Sequence, residues 1–169
     1  NDMMSGEGVL SFNDGKKYKG SFFNNEMNGK GTMSYSDGRV FIGNWVSGLM
    51  EGDGLFHDLN GNSYKGQWEK SKINGKGKYN YSNGNVYEGE WRNGLKEGEG
   101  TFLKINGDKY VGSWLKDKKE GKGTYTSKSG DKYVGFWVND QRNGNGIQTY
   151  VNGSEYVGQW ENNFINGKG

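Results

Sequence analysis

Few side chains in this 169-residue sequence are suited to catalysis. It has one histidine, His57, and no cysteine, which excludes a nucleophile–histidine pair and a histidine- or cysteine-rich metal site. One local carboxylate cluster would provide acid–base catalysis or cation binding; its members are Glu88, Glu90, Glu97 and Glu99. Because paired strands also carry such residues on a solvated face, we favour that interpretation. The sequence predicts no catalytic residue, no metal site and no cofactor.

Two Gly-Lys-Gly-Thr runs, which begin at Gly29 and Gly121, partly match a phosphate-binding loop. A phosphate loop needs four residues between its first glycine and a Gly-Lys-Ser/Thr ending, followed by a helix. Neither run has that spacing, so we predict no phosphate site. The 22 basic and 20 acidic residues nearly balance, which argues against a nucleic-acid partner.

The glycine content decides which elements must position these side chains. The sequence contains 32 glycines, and no stretch between them exceeds about eight residues, whereas a marginal helix needs about 12 to 15. Six tryptophans and an aromatic content of 15% argue against disorder. The sequence therefore predicts an ordered β protein with frequent glycines.

A repeat of 23 residues organises the whole chain. Each copy holds an aromatic-x-Gly-x-aromatic unit, and the units begin at Tyr18, Phe41, Tyr64, Tyr87, Tyr110, Tyr133 and Tyr156. A Gly-x-Gly pair follows each unit, from Gly29/Gly31 to Gly167/Gly169, and Gly6/Gly8 continue this series backwards. All glycines except Gly48 and Gly94 keep this register. We therefore expect one continuous array over 1–169, with a partial repeat at 1–17 and seven repeats starting at 18, 41, 64, 87, 110, 133 and 156.

The spacing within a repeat predicts two strands. In Tyr-x-Gly-x-Trp the alternation of side chains places Tyr, Gly and Trp on one face. After a loop of six residues, the Gly-x-Gly pair and the bulky residue that follows it form a second strand, whose bare glycines are expected to lie under the Trp rings. Asx-Gly pairs such as Asp37-Gly38 then predict a hairpin turn with positive φ at both residues. The opposite face changes from polar early in the chain to apolar late, with Val111, Val134 and Val157, and we expect something to pack there.

The predicted fold class is all-β: a single-layer antiparallel meander of 23-residue hairpin repeats that forms an elongated twisted rod or trough. Such a sheet has one aromatic face. The rings predicted to line a partner-binding groove on it are Tyr64, Trp68, Tyr87, Trp91, Tyr110, Trp114, Tyr133, Trp137, Tyr156 and Trp160. The same rings would also form the core, because a one-layer sheet buries rings nowhere else. The two interpretations are compatible, since a ligand can complete the burial of rings half-covered by their own repeat.

These units at 23-residue spacing resemble the MORN repeat (membrane occupation and recognition nexus) along essentially the whole chain. Phe22 in place of Trp and Phe41 in place of Tyr are departures from the pattern. The resemblance implies a non-enzymatic scaffold. From the aromatic row we expect it to bind an extended or helical partner segment, and from the unpaired backbone of a terminal strand we expect it to self-associate through its edges or ends, for example as a homodimer. The resemblance also implies a cytoskeletal, ciliary or membrane-associated location. We expect the chain to be an excerpt of a longer protein.

Two alternative functions remain open at this point. The first is a peripheral membrane module that binds acidic phospholipids through loop lysines, and the candidates are Lys70, Lys72, Lys116, Lys118 and Lys119. The loops carry no net charge overall, whereas a lipid-binding edge has a cluster of about 4 to 8 basic residues. The second is a targeting or regulatory domain of a larger enzyme. The sequence has neither an apolar run of about 20 residues nor a signal peptide, so we expect a cytoplasmic protein.

Overall fold

The computed structural model describes residues 3–167, which contain fifteen strands and no helix. Gly169, predicted to close the last Gly-x-Gly pair, lies outside them. The chain divides into two compact units, Asn1–Ser82 and Asn83–Gly169. The first unit contains β1 (Gly6–Ser11), β2 (Lys17–Phe23), β3 (Glu26–Ser34), β4 (Val40–Val46), β5 (Leu49–His57), β6 (Ser63–Glu69) and β7 (Lys72–Asn80). The second contains β8 (Val86–Arg92), β9 (Leu95–Leu103), β10 (Lys109–Leu115), β11 (Lys118–Thr126), β12 (Lys132–Val138), β13 (Gln141–Thr149), β14 (Glu155–Glu161) and β15 (Phe164–Ile165).

Within each unit the strands form one sheet in which every strand pairs with the next along the chain. All of these pairings are antiparallel, from β1 with β2 to β6 with β7 in the first unit. The second unit follows the same order from β8 to β15. The predicted all-β antiparallel meander of hairpin repeats is confirmed.

One face of each sheet is aromatic, as the spacing of two predicts. In β10, Tyr110 and Trp114 are 1% and 5% exposed, whereas Val111 between them is 42% exposed. Tyr110 faces Tyr125 of β11, and Gly112 faces Gly123. This register repeats along the chain, so the glycines of neighbouring strands meet on the aromatic face.

The six-residue loop predicted after each Trp is wrong. The connection is a turn of two residues, and most of the predicted loop belongs to the following nine-residue strand. At Lys116-Asp117 both residues have positive φ, 49° and 69°, which is the geometry of a type I′ hairpin turn. Asn and Gly favour this turn, and Asn24-Asn25, Asn93-Gly94 and Asn162-Asn163 carry such residues, so the local sequence could have revealed it there. Lys70-Ser71 gives no such signal.

A bulge follows these hairpins from β2–β3 to β12–β13 and explains the first glycine of the Gly-x-Gly pair. Between β10 and β11 the register moves by two residues, from Gly112 opposite Gly123 to Trp114 opposite Lys119. Gly121 lies in this segment with a φ of +71°. Because the shift is two residues, the alternation of faces is preserved, and the residues on both sides of the bulge point to the aromatic face.

The Asx-Gly pairs do mark the other hairpins, with a different turn from the one predicted. Five residues, 35–39, connect β3 to β4, and the Gly38 N–H donates to the Tyr35 carbonyl at 3.0 Å. Only Gly38 has positive φ; Asp37 instead accepts the backbone N–H of Arg39 at 3.0 Å. These longer turns require glycine at a single position.

The tight turns offer a site for stabilisation. Lys70 has a φ of +48° and an exposed side chain, and asparagine tolerates this conformation better than lysine does. Lys70→Asn is expected to raise the free energy of unfolding by about 1 kcal/mol. Urea denaturation followed by circular dichroism measures this, with Lys72→Asn as a control that removes the same charge from β7. A gain of equal size in both variants would contradict the backbone explanation.

The face opposite the rings carries a run of exposed apolar residues from β10 onward, whereas in the strands before it such residues, for example Ile42 at 47%, alternate with charged ones. Val111, Val134, Phe136 and Val157 are 42%, 40%, 42% and 56% exposed. The change from polar to apolar residues that the sequence indicates is therefore a real surface feature. Packing of another element on this face stays a prediction.

Candidate functional site

The aromatic rings of each unit form a series of edge-to-face contacts. The Tyr110 ring contacts Trp114 of its own strand, with centroids 5.2 Å apart at 88°, and Trp137 of the next repeat at 5.3 Å and 85°. Phe41 in the first unit has two such contacts, at 5.3 and 5.1 Å. Edge-to-face packing is a favourable geometry for aromatic rings. Tyr110 and Phe41 therefore each join two successive repeats.

Glycine is needed where these rings cross the neighbouring strand. A Cβ at Gly123 would lie 2.3 Å from the Tyr110 hydroxyl oxygen, and one at Gly100 would lie 2.3 Å from that of Tyr87. Tyr, rather than the predicted Trp, lies over the bare glycine backbone. Trp contacts the glycine by a hydrogen bond, because Nε1 of Trp114 donates to the Gly100 carbonyl at 3.2 Å. The prediction that the glycines make room for an aromatic ring is confirmed, but the ring is Tyr and not Trp.

The Tyr hydroxyls are tied to the backbone inside this layer. The Tyr64 hydroxyl donates to the Gln67 carbonyl at 3.1 Å, and the Tyr110 hydroxyl to the Ser113 carbonyl at 3.0 Å. Burial raises the pKa of Tyr64 to about 12 and also raises the pKa of Tyr110. The phenols are therefore held in their neutral form.

This burial predicts a loss of stability in alkali. A phenol whose folded pKa lies above its unfolded value of roughly 10 stabilises the fold fully below pH 10, and this contribution is lost as pH rises through the folded pKa. We expect the free energy of unfolding to fall between about pH 10 and pH 12. Urea denaturation across this range, with absorbance of phenolate at 295 nm, measures both events. The control is Tyr64→Phe, which should reduce the slope with pH; an unchanged slope would contradict the assignment.

The structure places most of the predicted groove residues in the core. Buried side chains in this set are Tyr64, Trp68, Tyr87, Trp91, Tyr110, Trp114, Tyr133, Trp137 and Trp160, and Tyr156 is half-buried. The rings therefore lie on one face, as predicted, and their own repeats cover most of their area. Their contact with a partner stays a prediction, and any ligand must first meet the side chains that cover them.

One repeat position covers the Trp rings, and the sequence analysis missed it. It lies directly opposite Trp in each hairpin, and in the first unit it is occupied by Met27, Met50 and Ile73. In the second unit Lys96, Lys119 and Arg142 occupy it, followed by Ile165 opposite Trp160, and we call the three charged residues the cation row. The 23-residue register could have revealed them, because each lies two residues before the first glycine of a Gly-x-Gly pair and so shares its face.

The hairpin turns fix the backbone of the cation row. The Lys119 N–H donates to Oδ1 of Asp140 at 2.9 Å, and the Asp140 N–H donates to the Lys119 carbonyl at 3.1 Å. The same pair of bonds joins Arg142 to Asn163, at 2.9 and 3.0 Å. Each turn therefore docks on the strand of the preceding repeat and holds the row residue in place.

The side chains of the cation row lie over aromatic rings. Nζ of Lys96 lies 4.7 Å from the Trp114 ring centroid, and Nζ of Lys119 lies 4.8 Å from that of Trp137. Both lysines are half-buried, and burial lowers the pKa of each, against the opposing attraction of Asp140. The aromatic face of the second unit thus carries desolvated positive charge.

The 23-residue repeats match a known protein family. The MORN repeat profile matches eight consecutive segments: 1–17, 18–38, 41–63, 64–86, 87–109, 110–132, 133–155 and 156–169. The chain belongs to the MORN repeat family. No curated protein sequence matches this MORN chain.

Solved structures with a similar fold come from Drosophila melanogaster. One is the TCP domain of SAS-4 (dCPAP) in complex with a proline-rich motif of Ana2 (dSTIL), with a TM-score of 0.55, 15% identity, and coverage of 92% of the MORN chain and 85% of that chain. Another is the TCP10c domain of Sas-4, with a TM-score of 0.52, 15% identity, and coverage of 92% and 93%. At this identity the likeness shows the fold.

The lysines predicted to contact lipid are divided between the two units, with Lys70 and Lys72 in the first and Lys116, Lys118 and Lys119 in the second. Lys70, Lys72, Lys116 and Lys118 are exposed at or beside the two-residue turns. Lys119 belongs to the cation row instead. The reason is that strand β11 begins at Lys118, so Lys118 and Lys119 point to opposite faces.

The residues first considered for catalysis lie apart from the aromatic face. His57 is exposed and follows Phe56, which contacts the Trp68 ring on that face. Glu97 pairs with Arg92 at 3.2 Å, and Glu99 accepts a hydrogen bond from Ser113. Within residues 3–167 no group of three or more His, Cys, Asp or Glu side chains is arranged to hold a metal ion. That part of the chain also has no helix long and apolar enough to cross a membrane.

Proposed function

We propose that this MORN chain is a non-enzymatic interaction scaffold. It receives an extended or helical segment of a protein partner along its aromatic face and self-associates through its edges or ends. It works in the cytoplasm at a cytoskeletal or membrane-associated structure. The predicted ring residues form the floor of the site, and the position opposite Trp supplies the side chains that meet the partner.

The observation that carries the proposal is the layer above the rings. Met27, Met50 and Ile73 in the first unit, and the cation row in the second, are all half-buried, so each packs on the aromatic face and still presents surface. A partner segment that lies on this layer completes the burial of the rings, and buried aromatic anchors supply much of the affinity in protein interfaces. The SAS-4 TCP domain, which is similar in fold, was solved in complex with a proline-rich motif of Ana2. That complex supports a peptide segment as the kind of partner.

A display library of random peptides tests this function on the whole chain. Selected ligands are then titrated against Met50→Lys and Lys119→Met, which exchange residue types that the chain itself uses at this position. The control is Ile42→Lys on the opposite face, at a position where other repeats carry Lys19 or Lys65. We expect one of the two face variants to weaken binding at least about tenfold, while the control has no effect. Ligands that respond only to Ile42→Lys would contradict the aromatic face as the site.

Light scattering tests the self-association. Exposed apolar residues such as Phe164, at 75%, support it. We expect a mass of two or more chains at micromolar concentration, and Phe164→Ser should shift the mass toward a single chain. A single-chain mass at all concentrations would overturn this part of the proposal.

Sedimentation with vesicles of acidic phospholipid tests the membrane alternative. Binding to the vesicles that is lost on Lys70→Met or Lys116→Met would support that alternative.

A further inference from the structure

The cation row is a change of residue type at a position where the fold requires no charge. In the first unit, the half-buried Met27, Met50 and Ile73 lie opposite the aromatic residue of their hairpin and carry no charged group. The second unit repeats the same hairpin with Lys96, Lys119 and Arg142 at this position. Because an apolar residue satisfies the packing, the three successive cations need an explanation other than stability.

The charges of the row are held by rings and not by carboxylates. Within residues 3–167 none of the three forms an ion pair with a carboxylate within 4.0 Å. The Arg142 guanidinium lies 4.8 Å from the Trp160 ring centroid and donates to Oε1 of Gln148 at 2.8 Å. The nearest turn carboxylates, Asp117 and Asp140, accept backbone N–H groups, and at Arg142 the corresponding residue is the neutral Asn163. The row therefore keeps a net positive charge.

The three cations act on one another as a single row. Burial is the main cause that lowers the pKa of Lys119; the attraction of Asp140 opposes it, and like-charge repulsion by Lys104, Lys96 and Arg142 adds to it. A negative group placed above the row relieves this repulsion. Because the lysines are half-buried, a carboxylate there would interact with them more strongly than in bulk water.

The spacing of the row selects the conformation of the ligand. Equivalent positions are two strands apart, which is about 9.6 Å at a strand spacing of about 4.8 Å. A polyproline II helix advances about 9.3 Å in three residues and returns each third side chain to the same side. In an extended strand, residues three apart point to opposite sides, and an α-helix needs about seven residues, or about 10.5 Å, for the same return. Polyproline II is the closest match.

The face also has room for such a segment beside the row. A cleft of about 420 Å³ opens next to Arg142 and is lined by Tyr125, Tyr150 and Trp160. Aromatic-lined grooves accept polyproline II segments because prolyl rings pack on aromatic surfaces. The acidic residue in the cleft wall, Asp131, is engaged at Oδ1 by the Val151 N–H at 2.9 Å.

We propose that Lys96, Lys119 and Arg142 bind a partner segment in the polyproline II conformation that carries an acidic residue at every third position. This inference rests on the proposed function, because it names the chemistry of the partner for the second unit. The carboxylates pair with the three cations, and the intervening residues, prolines among them, pack on the rings between the cations.

Calorimetric titration of the whole chain with defined peptides tests the ligand. The probe is acetyl-(Glu-Pro-Pro)4-amide. One control replaces Glu by Gln, and the other keeps the composition but places the four Glu residues together. We expect the periodic acidic peptide to bind at least about tenfold more tightly than either control, and its affinity to fall as salt rises.

Substitutions in the row test the residues. Lys119→Met and Lys96→Met install the residue type that the first unit uses, so the fold should be retained, as circular dichroism can verify. Each should weaken the periodic peptide about tenfold. The control is Lys118→Met, which removes the same charge from the adjacent exposed residue and should change affinity less than about twofold.

Several results would overturn the inference. The first is equal affinity for the periodic and the clustered peptide. The second is an equal loss of affinity in Lys118→Met and Lys119→Met. The third is Lys119-dependent binding to phosphatidylserine vesicles without binding to the periodic peptide. Library ligands that map to the aromatic face and lack acidic residues at every third position would overturn this inference while the proposed function stands. Absence of any ligand on that face would overturn both.

Discussion

Gly123→Ala is expected to lower the free energy of unfolding by about 3 kcal/mol or more. A Cβ at this position would lie 2.3 Å from the hydroxyl oxygen of Tyr110 and 2.5 Å from its Cε2 atom. The ring cannot move aside easily, because it is 1% exposed and lies between Trp114 and Trp137. Overpacking of a dense core forces side chains out of their preferred rotamers and shifts the backbone. Urea denaturation of the whole chain, followed by circular dichroism, measures the loss.

Two controls separate the clash from the general effect of losing a glycine. Gly121→Ala adds a Cβ 3.5 Å from that of Ser113, an ordinary contact, so it should cost only the strain of its positive φ, about 1 kcal/mol. In a Tyr110→Ala background the clash partner is absent, and Gly123→Ala should then cost much less than in the wild type. If Gly123→Ala costs the same in both backgrounds, the Tyr110 ring is not the reason for the glycine.

Trp114→Ala is expected to cost about 3 to 5 kcal/mol. The ring is 5% exposed and has edge-to-face contacts with Tyr87 and Tyr110, both at 5.2 Å. Its removal also leaves the Gly100 carbonyl without the Nε1 donor at 3.2 Å, and removes the nearest of the three rings around Nζ of Lys96. The substitution therefore combines lost apolar burial with a lost hydrogen bond and a weaker cation–π interaction. The same denaturation experiment measures this effect.

Substitution of Trp by Phe separates the contribution of ring packing from that of the Nε1 hydrogen bond. Phe22 occupies this position naturally and keeps the edge-to-face contact, 5.1 Å from Tyr18. Trp114→Phe should therefore cost much less than Trp114→Ala. Trp68→Phe should cost less again, because Nε1 of Trp68 is buried and has no hydrogen-bond partner in residues 3–167. Equal costs for Trp68→Phe and Trp114→Phe would show that the bond to Gly100 contributes nothing.

The alternation rule explains which features were predictable. Tyr, Gly and Trp are separated by two residues, so a strand places them on one face whatever its neighbours do. The second strand was predicted too short, because its first residues were assigned to a loop. Lys119 was consequently grouped with Lys116 and Lys118 as a lipid contact, although it faces the rings. Counting back two residues from Gly121 would have placed it there, since the bulge shifts the register by two and preserves the face.

The sequence by itself determined the repeat, the strands, the aromatic face and the family, because a strict 23-residue period fixes the spacing of glycines and rings before any contact forms. Only the tertiary structure decided that the connection after each Trp is a turn of two residues, which ring covers the glycines and what covers the Trp rings. Lys116-Asp117 adopts a left-handed turn because the pairing of its two strands requires it, against the preference of Lys116. Tyr lies over glycine because neighbouring strands place the two together. The tertiary structure also decides the position of the cation row. Lysine is usually a surface residue, but here the neighbouring strand places a Trp ring under the side chains of Lys96 and Lys119.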